Sequence, residues 1–182
     1  MQEIFLPTIE AMKAEGCPFK GCLYFGLMVT KDGPKVIEYN CRFGDPETQV
    51  VLPLLKSDLL TIMMAVENET LADVPVEFEA GAACCVMLAS GGYPGAYEKG
   101  KPIDLGRAPE MAQVFHSGTA RDARGRLVTA GGRVLGVCCT ADDLRTAVRN
   151  AYRAAEEISF ENMCMRRDIG KRALAIAGEE GV

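Results

Sequence analysis

The sequence predicts an α+β chain. Three observations carry this: two strand-length runs that close on a turn, helices opened by acidic caps, and a later stretch where short buried strands lead into one amphipathic helix. Pro7 to Glu15 reads as the first helix, with Pro7 in its first turn and Ile9 and Met12 as an apolar stripe. Gly16 and Pro18 end it. Cys22 to Thr30 is an apolar, aromatic run of strand length, Lys31-Asp32-Gly33-Pro34 is turn chemistry, and Lys35 to Arg42 is a second strand, so the two form a hairpin. Asp45 and Pro46 then stand as N-cap and first residue of a helix interrupted at Pro53. Ser57 or Asp58 caps the next helix, which runs through Val66. Asn68 to Glu79 is polar and contains Pro75, which places a boundary near residue 70.

Beyond that boundary the texture changes. Ala82 to Ala89 is a short buried strand, and Ser90 to Gly106 is an ordered loop rich in Gly, Pro and Tyr. Strands follow at Gln113 to His116, Leu127 to Thr129 and Arg133 to Thr140. Asp142 to Ile158 is a helix with Leu144, Val148 and Ala151/Tyr152 on one face, and Asp168 to Ala177 is a last short helix.

Composition narrows the function class. The 182 residues are 48% hydrophobic, enough for a packed core. The net charge of −5 and the lack of a Lys/Arg cluster argue against a nucleic-acid-binding face, while a small polyanion needs only a few local donors. Eight Cys, no C-x-x-C and one His argue against structural zinc and for reduced thiols in a cytoplasmic protein. The first residues carry acids and a Pro where a secretory signal is apolar. No apolar run approaches the ~20 residues of a membrane span.

The chemistry concentrates in VIEYNCRFGDPETQ, residues 36 to 49. Alternation along a strand puts Glu38, Asn40 and Arg42 on one face and sends Ile37, Tyr39, Cys41 and Phe43 to the other, into a core. Glu38 and Asn40 offer two hard oxygens that reach one Mg²⁺, an ion that takes few protein ligands beside phosphate and water. Arg42 beside them holds a phosphate or carboxylate in bidentate fashion. The same spacing also fits a solvated strand face with an Arg–Glu pair.

VIEYNCRFGDPETQ resembles the metal-binding strand and following turn of the phosphoribosylamine–glycine ligases, within the ATP-grasp superfamily. GCLYFGLMVT (21–30), SGGYPGAY (90–97), FHSGT (115–119), GGRVLGV (131–137) and RRDIGKRA (166–173) resemble further blocks of that family, in order, so the resemblance spans nearly the whole chain. It implies that residues 1–70 are the C-terminal portion of an ATP-grasp domain, and 71–182 the family's small α+β C-terminal domain. It implies Glu38 and Asn40 as ligands of Mg²⁺ (or Mn²⁺), Arg42 as a catalytic contact for phosphate or an acyl phosphate, and Asp45 as a contact for an amino group of glycine or 5-phosphoribosylamine. Asp45 is equally accounted for as a helix cap. The implied reaction joins glycine to 5-phosphoribosylamine with ATP as co-substrate, in purine biosynthesis. The family's adenine pocket and phosphate-covering loop have no counterpart here. The chain is thus expected to be a piece of the enzyme that is inactive without a missing N-terminal part. The alternative is a non-catalytic binding or assembly module that keeps the fold.

Other candidates carry less. GAYEKGKP (95–102) approximates a phosphate-binding loop, but Pro102 replaces the Ser/Thr that such a loop requires. SGGYPG reads as a tight connection with positive φ, or as a substrate-facing loop. His116 lacks a nucleophile at a recognisable spacing and reads as a hydrogen-bonded core or cleft His. Arg166, Arg167 and Lys171 offer charge to a sugar phosphate, or form local ion pairs at a helix start.

Overall fold

Phe5–Ala14 forms helix α1, beginning two residues before Pro7. Pro is accepted there because the first turn leaves its N–H groups without intrahelical partners. The computed structural model describes residues 2–176 and 178, so Ala177, the expected end of the last helix, lies outside the described residues. The chain divides into two units, one of Met1–Asp45 with Leu55–Phe78, the other of Pro46–Leu54 with Glu79–Val182.

In the first unit, β1 (Tyr24–Thr30) and β2 (Gly33–Asn40) pair antiparallel across a Lys31-Asp32 turn. The turn is tied by Thr30, whose hydroxyl donates to Gly33 O at 2.8 Å and accepts from Asp32 N at 3.2 Å. Register breaks between Gly26 and Leu27: Gly26 faces Glu38 but Leu27 faces Val36, so Ile37 is the extra residue of a β-bulge. Helix α1 meets the hairpin through Phe5 and Phe25, whose ring centroids are 4.2 Å apart, and Phe25 meets Tyr39 edge-on at 5.4 Å.

Helix α2 (Thr48–Val51) and the 3₁₀ turn Leu52–Leu54 belong to the second unit, and Pro53 sits in that turn where the helix ends. The expected cap is corrected: α2 starts three residues after Asp45, its N-cap is Glu47, and Asp45 lies in the preceding turn. Back in the first unit, α3 (Leu59–Glu67) is capped by Asp58, which accepts from Thr61 N at 2.7 Å. Ser57 is used otherwise, donating to Pro75 O and accepting from Glu77 N. The 75–78 segment therefore folds back on Leu55–Ser57, with Leu55 bridging Phe78.

The second unit is built on β3 (Ala82–Ser90). Helix α4 (Ala108–Met111) precedes β4 (Gln113–His116), and the short β5 (Thr119–Arg121) and β6 (Leu127–Thr129) pair with each other. Strand β7 (Arg133–Ala141), helix α5 (Leu144–Ala155), β8 (Met163–Cys164) and helix α6 (Lys171–Ile176) follow. The four-stranded antiparallel sheet has the order β4-β7-β3-β8. Directly opposed pairs Val86–Val137 and Leu88–Leu135 are fully buried in one core with Ala147, Ala151 and Ala154 of α5. Small side chains along α5 let the helix lie close to the sheet, and each buried Leu or Val contributes roughly 1.5–3 kcal/mol. Asp143 caps α5 through Thr146 N at 2.8 Å.

Candidate functional site

Glu38 and Asn40 lie at the end of β2, and the alternation of the strand puts them on one face. The structure joins them: Asn40 Nδ2 donates to Glu38 Oε1 at 3.2 Å. That bond uses one oxygen of the carboxylate and the nitrogen of the amide, so Oε2 and Oδ1 lie outside it. Glu38 is exposed and Asn40 half-buried. Exposed, adjacent hard-oxygen donors suit a cation that completes its shell with phosphate and water. Among the described residues no group of three or more His, Cys, Asp or Glu could hold a metal by itself.

Opposite Glu38 stands Gly26, which the sequence reading passed over. The signal was there, because a Gly inside a strand marks a bulge or a close approach. Both occur: the bulge begins at Gly26, and the Glu38 side chain leans over its Cα, where a Cβ would sit 2.8 Å from Glu38 Cγ.

Arg42 and Asp45 are placed differently from the sequence expectation. Strand β2 ends at Asn40, so the alternation does not extend to Arg42, whose guanidinium donates to the neighbouring Phe43 O at 3.0 Å. Asp45 follows in the turn. The expected core on the other face is also corrected: Ile37 is 63% exposed, Tyr39 48% and Phe43 40%. Two strands and one helix cover that face only partly. The bulge resets the alternation, so Val36 joins Tyr39 and Cys41 around a cavity of about 560 Å³ beside α1.

In the second unit, three Gly-rich segments converge. Ser90 Oγ donates to Gly131 O at 2.9 Å, Ser90 N donates to Gly132 O at 2.8 Å, and Gly118 N donates to Arg133 O at 2.8 Å. The Tyr93 ring occupies the space a side chain at Gly132 would need. Gly92 has φ of 96° and its missing Cβ would meet Ala96 O, so SGGYPG is a tight connection that requires glycine. His116 is exposed rather than in a core, and its Nδ1 is 3.1 Å from Thr119 Oγ1. The Lys101 ammonium of GAYEKGKP is held by Glu98 at 2.8 Å and Glu161 at 2.9 Å, and an extended bridge of Pro102 to Val128, not a helix, comes directly after it. Arg166 pairs with Asp168 at 2.7 Å and Arg167 with Glu156 at 2.7 Å. Lys171 lines a cavity of about 610 Å³ with Arg149 and Arg153.

Residues 1–48 match the family model described as phosphoribosylglycinamide synthetase, ATP-grasp (A) domain, which assigns that stretch to an ATP-grasp domain. Residues 83–172 match the C domain of the same synthetase. The chain belongs to the phosphoribosylglycinamide synthetase family. It is 49% identical over 176 residues to the phosphoribosylamine–glycine ligase of Chlorobaculum tepidum, covering 95% of this chain and 41% of that protein. It is also 49% identical over 181 residues to the trifunctional purine biosynthetic protein adenosine-3 of Gallus gallus, covering 98% of this chain and 18% of that protein. The crystal structure of the Thermotoga maritima phosphoribosylamine–glycine ligase superposes with a TM-score of 0.81 at 40% identity, covering 92% of this chain and 41% of that one. The chain thus spans about two-fifths of the length of such single-function ligases.

Proposed function

We propose that this chain is the carboxy-terminal part of a ligase joining glycine to 5-phosphoribosylamine, giving glycinamide ribonucleotide, ADP and phosphate in purine biosynthesis. The observation that carries the reading is the Glu38–Asn40 pair on one exposed strand face, in a chain of this family. Residues 1–70 act as the last portion of the ATP-grasp domain and 71–182 as the C-terminal domain. The remaining ATP-binding elements come from an amino-terminal part, as in the longer relatives. ATP phosphorylates the glycine carboxylate and leaves as ADP. The amine of phosphoribosylamine then attacks the acyl carbon and expels phosphate.

Glu38 and Asn40 would hold Mg²⁺ (or Mn²⁺), whose chemistry there is to neutralise charge on phosphate oxygens. Arg42 holds phosphate or the acyl phosphate by charge-assisted hydrogen bonds, and Asp45 orients the attacking or glycine amino group. Such a ligase works in the cytoplasm. Among the described residues, no helix is long and apolar enough to cross a membrane.

The test joins this chain to the amino-terminal three-fifths of the Chlorobaculum tepidum ligase and assays ADP release. Release that requires both glycine and phosphoribosylamine supports the reading. A folded chimera with no such release would leave a non-catalytic binding or assembly module.

A further inference from the structure

We propose that Gly26 is a positioning residue for the cation site, leaving open the orientation of the Glu38 side chain that brings its carboxylate beside Asn40. The inference rests on the reading of Glu38 and Asn40 as cation ligands, and it adds a residue on the neighbouring strand. Gly26 and Glu38 are direct antiparallel partners, so their side-chain positions share a face. A Cβ at position 26 would lie 2.8 Å from Glu38 Cγ, inside any real carbon–carbon contact, but 3.5 Å from Glu38 O and 3.6 Å from Glu38 N. The backbone therefore has room for a methyl group, and only the Glu38 side chain is in its way. Relief comes from turning Glu38 to another staggered χ1 well, a rotation of about 120°. That swing carries the carboxylate off the Asn40 amide, which it now meets at 3.2 Å.

Why a strand should keep glycine here follows from the cost. Glycine weakens a strand interior through its backbone entropy and lack of packing surface. The bulge that starts at Gly26 adds local twist beside the same pair. Both features bear on the direction of one carboxylate, and neither strengthens the hairpin.

The experiment uses the 182-residue chain labelled with ¹⁵N. The Asn40 side-chain amide resonances, identified by their loss in Asn40→Ser, report the hydrogen bond to Glu38 without any metal. In Glu38→Ala they move to the position of an amide lacking that acceptor. The expected result is that Gly26→Ala moves them to the same position while the cross-strand contacts of Tyr24–Thr30 with Gly33–Asn40 persist. Unmoved Asn40 resonances in folded Gly26→Ala overturn the proposal. Should Gly26→Ala unfold the hairpin, the double variant with Glu38→Ala decides. Rescue supports the proposal, because the clash is with Cγ, and failure to rescue overturns it. Broadening by added Mn²⁺ tests the cation reading separately. It is expected at the amides of residues 38–40 in the wild type and reduced at least several-fold in Gly26→Ala. Absence of broadening in the wild type rejects the cation site and leaves the Asn40 result to decide Gly26.

Discussion

Asn40 donates its side-chain amide to the carboxylate of Glu38 across two residues of the same strand, at 3.2 Å. An exposed pair of this kind contributes about 0–1 kcal/mol to stability. On the function proposed above, its value lies in where it holds two oxygen donors. In an enzyme carrying this chain, Glu38→Gln is expected to lower kcat by about 10²–10³, as loss of a catalytic electrostatic element does. The melting temperature stays near that of the wild type. The check is kcat at saturating ATP across a Mg²⁺ titration, beside a thermal melt. A normal kcat with unchanged Mg²⁺ dependence returns Glu38 to a solvated strand face.

The chain purified alone is expected to release no ADP in response to glycine and phosphoribosylamine, since it spans only about two-fifths of the ligases it resembles. Glycine-dependent release from the purified chain, with no other polypeptide present, contradicts this.

All eight cysteines are free thiols, so titration in denaturant without reductant should find eight. Native protein should react first at the exposed Cys17, Cys41 and Cys164. Cys84, Cys85, Cys138 and Cys139 are buried and should wait for unfolding. Burial, with the neighbouring Cys139 thiol adding to it, pushes Cys84 from its ordinary 9.0 to about 11. Burial and the same thiol neighbours push Cys138 to about 12. The folded state thus holds these protons more tightly than the unfolded chain. The associated stability is fully present below pH 9 and is lost as pH rises through about 11 to 12. Urea melts at pH 8 and pH 10.5 should show the lower midpoint at the higher pH, and the difference should shrink in Cys138→Ala.

Leu135 is fully buried opposite Leu88 in the sheet that α5 covers. Leu135→Ala should cost about 2–5 kcal/mol, the transfer loss plus the cavity left behind. Urea denaturation monitored by circular dichroism reads this directly, and a loss under 1 kcal/mol would mean that this core collapses freely around the gap.

Asp143 accepts from Thr146 N and Thr146 Oγ1 at the start of α5, and these bonds hold its carboxyl below the usual range. The sign follows: its contribution is present above the ordinary value of 3.8 and fades as pH falls through the depressed folded value. Asp143→Asn keeps an acceptor for the cap but removes the titration. The variant's helical signal should therefore lose less between pH 5 and pH 2 than the wild type's. Equal loss in both assigns the acid transition to other carboxylates.

Much of this was legible in the primary structure. The two-strand hairpin shows in apolar runs around a Lys-Asp-Gly-Pro turn, and the helix caps were narrowed to Ser57 or Asp58 and to Asp142 or Asp143, of which the structure uses Asp58 and Asp143. Strands β5 and β8 were missed because Thr119–Arg121 and Met163–Cys164 are short and, unlike the equally short Leu127–Thr129 of β6, lack a run of β-favouring apolar residues. The face of β2 opposite the site was misread for a physical reason. Strict alternation assumes one partner per residue, and the extra residue Ile37 breaks that assumption midway.

By itself, then, the amino-acid sequence determined the local pattern that nominates groups for chemistry here: a carboxylate and an amide two apart on a strand, and an arginine and an aspartate just after it. Those are local properties, set by residue type and by a backbone period of two. The tertiary structure alone decided how they are aimed. Which residue of β1 lies under Glu38, where the strand stops relative to Arg42, and how Ser90 at the end of β3 meets the loops holding Gly118 and Gly131 all depend on register and closure between distant segments. Register is a pairwise choice made by packing and hydrogen bonding across strands. A one-residue slip in it leaves the composition and spacing of the strand unchanged while turning its side chains to the opposite face.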